Sequence, residues 1–279
     1  MSGAGRFDGR AVLVTGSTGM AASAARAIAA EGGTVFAVSR TAAHLAALEA
    51  DIREVGGRCL WHAADLRRED EVAAAFAAFD AQVGRLDGVY SVAGISGRRH
   101  GDGPLHEATL EGWETVLGAN ATSQFLVARA AVRRMLGQDL DAAGSRGAMV
   151  LMSSALATHP APAFFATHAY AASKGAVEAL SRSLAAYYAP YGIRVNVVAP
   201  SLVATPMSRR AQDDPAILAY LAGRQPLAGG PIAADAVTST VLHLLSQDAA
   251  MITGQVIAVD GGWGVSEAGR THEPGNLVG

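Results

Sequence analysis

Tyr170 and Lys174 are separated by three small residues, Ala171, Ala172 and Ser173. In a helix, positions four apart share one face, so this spacing points a phenol and an ammonium into the same space. A free tyrosine titrates near ~10, too high for ready proton exchange at neutrality. An adjacent cation favours the phenolate and lowers that value, which predicts an acid/base tyrosine. Composition sharpens the pair. Of the 22 basic residues Lys174 is the one lysine, and arginine stands at every other basic position. A guanidinium is planar, larger and differently directed, so it does not replace a compact ammonium close to a phenol. The plainer explanation of Tyr-x-x-x-Lys is a solvated helical pair. The retained lysine favours chemistry.

These side chains need a scaffold, and the 279 residues, half of them hydrophobic and 17% charged, suffice for a large core. Short β-rich runs at 11–14, 34–38, 59–62, 88–91, 149–152, 194–198 and 255–259 alternate with Ala-rich helical patterns. The helices are expected at 20–31, 41–55, 69–83, 110–117, 122–136, 170–188 and 233–246. This alternation predicts one α/β domain over 1–279, a doubly wound parallel sheet of about seven strands with helices on both faces. The stretch 204–231 has weak periodicity with several Pro and Gly, which suits a mobile flap. The tail 264–279 is polar and Gly-rich and is expected to be disordered. A net charge of −3 with both signs scattered excludes a nucleic-acid or anionic-membrane footprint. With no apolar signal core and no bilayer-length apolar run, the expectation is a cytoplasmic protein. The lone Cys59 excludes an internal disulfide and reads as a small buried hydrophobe.

The run VLVTGSTGMAASAARAIAAEGG is a strand, a glycine turn and a helix. Thr15, Gly16, Ser17, Gly19 and Met20 are therefore candidates for holding a dinucleotide, its pyrophosphate at the helix N-terminus. Together with the Tyr/Lys pair, these residues resemble the short-chain dehydrogenase/reductase family, and the resemblance runs through 8–262 in several motifs. It implies that Asp65 and Leu66 meet adenine and that Ala93 and Gly94 follow the fourth strand. It further implies a helix-interrupting Asn120, an active-site Ser154, and a segment with Asn196, Pro200, Val203 and Thr205 over the nicotinamide. The glycine turn is one residue shorter than TGxxxGxG, with Ala21 in place of the last glycine. Ser91-Val92 replaces a usual Asn-Asn, and Pro200-Ser201 a usual Pro-Gly.

The second strand ends in Ser39 and Arg40 where an NAD-binding member would carry a carboxylate, so NADP(H) is favoured over NAD(H). The resemblance implies that Ser154 bonds the substrate oxygen and that Tyr170 moves its proton. Lys174 would hold the nicotinamide ribose and lower the tyrosine's pKa, while Asn120 anchors a water leading from the lysine to solvent. The expected reaction interconverts a small-molecule secondary alcohol and a ketone. A 3-oxoacyl-thioester reductase remains an alternative, because Arg129, Arg133 and Arg134 could meet an acidic carrier protein. A non-catalytic nucleotide-binding regulator is a second. The interval from Ser154 to Tyr170 is longer than usual in the family and contains His159, Phe164, Phe165 and His168. The histidine spacing fits no standard metal site, and no metal is expected. The phenylalanines either line an apolar pocket or pack the loop down. By family analogy the chain assembles as a homotetramer or homodimer through the helices at 122–136 and 170–188 and the last strand.

Overall fold

The structure, a computed structural model, describes residues 5–267. The strands are β1 (Ala11–Thr15), β2 (Thr34–Ser39), β3 (Arg58–Ala63), β4 (Gly88–Ser91), β5 (Gly147–Met152), β6 (Ile193–Pro200) and β7 (Val256–Val259). They form one sheet in the order β3-β2-β1-β4-β5-β6-β7, every neighbouring pair parallel. The order reverses between β1 and β4, which opens a crevice at the carboxyl ends of those two strands. Helices α1 (Met20–Ala30), α2 (Ala42–Glu54), α3 (Glu69–Gln82), α4 (Leu110–Leu117), α5 (Ser123–Leu136), α6 (His168–Tyr188), α7 (Arg209–Gln212), α8 (Pro215–Arg224) and α9 (Ala234–Leu245) complete the fold.

Side-chain alternation along the strands feeds two separate cores. Val12 and Val14 of β1 and Val150 of β5 face the layer of α1, α2 and α9. Leu13 of β1 and Met149 and Leu151 of β5 face α3, α5 and α6. A strand covered on both sides must be apolar throughout, and β1 and β5 are buried at every position. Alanine favours helix and lets α1 lie close, burying Ala21, Ala22, Ala24, Ala25, Ile28 and Ala29. Cys59 is buried in β3, and burial pushes its thiol up to about 12, in keeping with a packing role.

The stretch 204–231 departs from expectation. Its periodicity is weak because its helices are short, yet α8 is well specified. Asp214 Oδ1 accepts from Ala216 N at 2.9 Å and from Ile217 N at 3.3 Å, and Pro215 occupies the first helical position. Ile217 and Leu221 are fully buried in a third cluster with Trp263 beyond the sheet's carboxyl edge. Asp214-Pro215 is the sequence signal that identifies this helix. In the tail, Gly264 N donates to Asp260 Oδ2 at 2.8 Å; positions 268–279 of the expected disordered segment lie outside the described residues. If α8 is a packed wall, Leu221→Ala should lower unfolding free energy by about 2–5 kcal/mol in urea titration. A change within about 0.5 kcal/mol would return the segment to a loose flap.

Candidate active site and cofactor groove

Two connected hollows lie at the carboxyl edge of the sheet. The larger, about 350 Å³, runs from Ser39, Arg40, Asp65 and Leu66 past Thr15, Gly16, Ser17 and Gly19 to Ala93 and Gly94. The smaller, about 180 Å³, is lined by Ser154, Tyr170, Lys174, Pro200 and Val203 together with Phe165 and Trp263. Met20, Gly94, Ile95 and Thr205 border both.

The groove suits a dinucleotide. Gly16 and Gly19 have φ of 101° and 55°, a conformation that carries the chain from β1 into α1 despite the shortened turn. The N-terminus of α1 has no side-chain cap and no acidic residue in its first turn, so its amide groups are free for a phosphate. Ser17 Oγ and Ser39 Oγ are 3.0 Å apart, Asp65 grips Arg67 through both oxygens, and His44 joins Arg40 in the wall. The replaced Asn-Asn pair also finds its explanation. Thr15 Oγ1 accepts from Val92 N at 2.9 Å and Ala93 N at 3.0 Å, so Thr15 ties β1 to the turn after β4. Its hydroxyl is used as a brace, while its backbone borders the groove.

Tyr170 and Lys174 stand on the first two turns of α6, with Nζ 5.6 Å from the phenol ring centroid. Lys174 is 3% exposed and donates to Met152 O, at the end of β5, at 2.9 Å. Burial without a carboxylate partner drives its amino group down to about 8. Burial also raises the Tyr170 phenol, opposed by a hydrogen bond with Ser154. The sequence expectation of a lowered tyrosine is therefore reversed in the protein alone. Desolvation of the buried phenol outweighs the hydrogen bond with Ser154. Ser154 Oγ accepts from Leu156 N at 3.2 Å, which leaves its own proton free to donate.

Asn120 lies in a π turn (Gly118–Thr122) between α4 and α5, in keeping with a helix-interrupting asparagine, and is wholly buried. Its side chain bonds both backbone groups of Ile95, at 2.8 and 3.1 Å, and Ser173 Oγ at 3.2 Å. These bonds make it a strut between the β4 turn and α6 rather than a direct partner of the lysine. Gly94 permits the approach: a Cβ there would meet Asn120 Oδ1 at 2.7 Å and Lys174 Nζ at 3.7 Å. Asn196 does not reach the hollow. It is buried in β6, where it donates to Ile252 O at 2.8 Å and accepts from Gln255 N at 3.1 Å, holding the chain entering β7.

Two residues escape sequence reasoning. Asp102, buried in the loop before α4, accepts from Ala169 N at 3.0 Å and Tyr170 N at 2.9 Å, so it caps α6 where the acid/base candidate sits. Gln124 donates to Asn120 O at 3.1 Å and Met152 O at 3.0 Å and accepts from Met152 N at 3.0 Å. Neither has a local signal, because the amides that Asp102 meets and the Met152 groups that Gln124 meets are distant in sequence. In the long Ser154–Tyr170 interval, the question about the phenylalanines is answered by division of roles. Phe165 lines the smaller hollow, 6.1 Å from Trp263, and Phe164 packs on Tyr220 at 5.1 Å. His168 Nδ1 lies 2.8 Å from Gly103 O, and His159 Nδ1 lies 2.9 Å from Thr158 Oγ1.

Known proteins resemble this arrangement along almost the whole chain. Residues 14–264 match a family model described as enoyl-(acyl carrier protein) reductase. Cis-4-hydroxycyclohexanecarboxylate dehydrogenase of Sinomonas cyclohexanicum is 35% identical over 258 residues, 92% of this chain and 97% of that protein. D-threitol dehydrogenase of Mycolicibacterium smegmatis is 34% identical over 260 residues, 92% of this chain and 94% of that one. The crystal structure of a gluconate 5-dehydrogenase from Burkholderia cenocepacia, in complex with NADP and tartrate, superposes with a TM-score of 0.83. It is 30% identical and covers 93% of this chain and 96% of its own.

Lys174 binds fewer protons folded, with its amino group near 8, than unfolded, near 10.5. The resulting cost is fully present below pH 8 and is relieved as pH rises toward 10.5. Lys174→Met should therefore raise stability at pH 7 by up to about 3 kcal/mol, Met152 O keeping its bond from Gln124. Unfolding titrations across pH should show that gain shrinking between 8 and 10.5. A loss of stability at pH 7 would overturn the buried-cation account.

Proposed function

This chain belongs to the short-chain dehydrogenase/reductase family, and on that premise we propose that it interconverts a secondary alcohol and a ketone with NADP(H), Tyr170 serving as acid/base. That it is an oxidoreductase acting on CH–OH donors follows from its dehydrogenase relatives. The observation that carries the finer reading is the chain's one lysine, buried beside Tyr170 where the groove meets the smaller hollow. A protein without catalysis gains nothing from burying an unpaired ammonium, which argues against the regulator alternative.

The backbone of Gly16, Ser17 and Gly19, with Met20, would hold the pyrophosphate. Asp65 and Leu66 would border adenine, and Ala93, Gly94, Pro200, Val203 and Thr205 would enclose the nicotinamide end. Lys174 would donate to the ribose hydroxyls. Ser154 Oγ–H donates to the substrate oxygen, and Tyr170 gives that oxygen a proton during reduction or removes it during oxidation. Burial favours the protonated phenol, and an oxidised nicotinamide, when bound, would add its positive charge to that of Lys174 and would supply the hydride acceptor. Asp102 holds the tyrosine's helix at its start, and Asn120 with Gln124 fixes the floor beneath Lys174.

The absent carboxylate at the end of β2 supports NADP(H). Ser39 bonds Ser17, and Arg40 forms no ion pair with the described residues. The acyl-carrier alternative has less support, because Arg129 pairs with Glu69 at 2.6 Å and Arg134 with Asp80. For assembly as a homotetramer or homodimer, β7 offers an open sheet edge, and Tyr187 and Phe125 project from α6 and α5. Among the described residues no helix is long and apolar enough to cross a membrane, and we place the protein in the cytoplasm.

Tyr170→Phe should abolish alcohol oxidation while cofactor binding, followed by fluorescence, stays close to wild type. Near-wild-type turnover in that variant would sink the mechanism. Arg40→Ala should raise KM for NADPH ten-fold or more and leave NADH nearly unaffected, as expected for one lost charge-assisted bond of about 1.5–3 kcal/mol. Equal use of both cofactors by the unaltered protein would refute the preference.

A further inference from the structure

The smaller hollow has an apolar body and a basic mouth. Its inner wall is built from Leu156, Phe165 and Trp263. At its rim stand Arg98, on the 3₁₀ turn (Gly97–His100) after β4, and Arg210, on α7. These arginines come from segments more than a hundred residues apart and converge on the same opening as Ser154 and Tyr170. Among the described residues, no carboxylate forms an ion pair with Arg98 or Arg210. The acidic residue whose charge reaches Arg98 is Asp102, whose effect there is smaller than that of Arg210 and whose oxygens accept from the amides of Ala169 and Tyr170.

Two like charges at one opening repel, and the guanidinium of Arg98 is held below its usual value by burial and then by Arg210. Arg98 has one anchor in the wall of the hollow. One of its amino groups, Nη2, donates to Phe164 O at 2.8 Å, which fixes its stem and leaves the other donors of the fork available. A solvated arginine on an ordinary surface has no such anchor and no neighbour of its own sign. An oxyanion placed between the two would relieve the repulsion and accept charge-assisted bonds from both.

We propose that Arg98 and Arg210 together bind a carboxylate carried by the substrate, so that the alcohol oxidised here is a hydroxy acid with an apolar body. The carboxylate sits at the mouth, the apolar body lies against Phe165 and Trp263, and the reacting carbon faces Tyr170. The pair selects the substrate and takes no part in hydride or proton transfer. This inference rests on reading the smaller hollow as the substrate site.

The test is calorimetric binding of cyclohexanecarboxylate and of its uncharged amide to the full chain saturated with nicotinamide cofactor. The ring supplies the apolar body, and the two probes differ in charge alone. At low ionic strength the acid should bind at least ten-fold tighter, and added salt should narrow the gap. Arg98→Met and Arg210→Met should each remove most of that preference and leave the affinity for the amide unchanged; both side chains are exposed, so both variants should fold. Arg→Lys at either position should retain part of it, since the charge survives without the fork. In the kinetic version, the Met variants should raise KM for 4-hydroxycyclohexanecarboxylate with little change in kcat. Equal binding of acid and amide, or a preference that survives both substitutions, would overturn the proposal. Absence of any alcohol oxidation would instead strike the proposed function, and the binding ratio would still decide the carboxylate site.

Discussion

A buried ammonium is the constraint around which the carboxyl edge of the sheet is arranged. Lys174 has left water without a carboxylate to meet it, and its compensation is the carbonyl of Met152 at the end of β5. That bond exists because β5 stops where it does and because α6 returns over it. The same carbonyl also receives Gln124, which reaches across to Asn120, and Asn120 in turn braces the turn after β4. Strand end, π turn and helix are thus linked through hydrogen bonds that all converge beneath one amino group. Arginine could not occupy that corner. Its planar fork is larger and differently directed than the compact ammonium that meets the Met152 carbonyl here.

The architecture is legible in the sequence because parallel strands buried on both faces leave continuous apolar runs, and Ala-rich helices separate them. All seven strands and the seven long helical patterns fall where the chain's periodicity places them, within a few residues. Ser154, Tyr170 and Lys174 are brought together in one hollow, and the glycine turn, Arg40 and Asp65 in the adjoining groove. What the sequence conceals is of two kinds. One is partnership at a distance: Asp102 serves an amide 68 positions away, and Thr15 closes a turn 77 positions away. No local pattern announces either. The other is the competition between charge and burial. Spacing reveals that a cation lies near Tyr170, but only the packed structure shows that burial raises the phenol.

The stretch 204–231 fails for a third reason. Short helices offer too few turns for a period to emerge, so an apolar face of two residues looks like loop. Ile217 and Leu221 are that face, and they pack against the same Trp263 that donates to His159 O at 3.1 Å. The wall opposite the reacting groups is therefore assembled from three distant pieces: the long Ser154–Tyr170 interval, α8 and the start of the tail. Each piece is weakly patterned alone. Together they bury an aromatic cluster whose members lie between 5.1 and 6.5 Å apart, so the wall is a packed unit rather than a set of loose loops.

This construction ties the mouth of the hollow to its reacting end. The turn after β4 contributes Arg98 to the rim, and four residues later the same loop contributes Asp102 to the first amides of α6. Arg98 is also anchored to the carbonyl of Phe164, whose neighbour Phe165 lines the hollow. A displacement of the rim would accordingly be felt at the start of the helix that carries Tyr170. The buried carboxylate of Asp102 resists such movement, since withdrawing it would leave two helix amides unpaired at a cost of about 1–3 kcal/mol each. The link thereby couples the position of the aromatic wall to that of the phenol beside Lys174. One short loop, through Arg98 and Asp102, holds the aromatic wall in register with Tyr170 and Lys174 at the sheet edge.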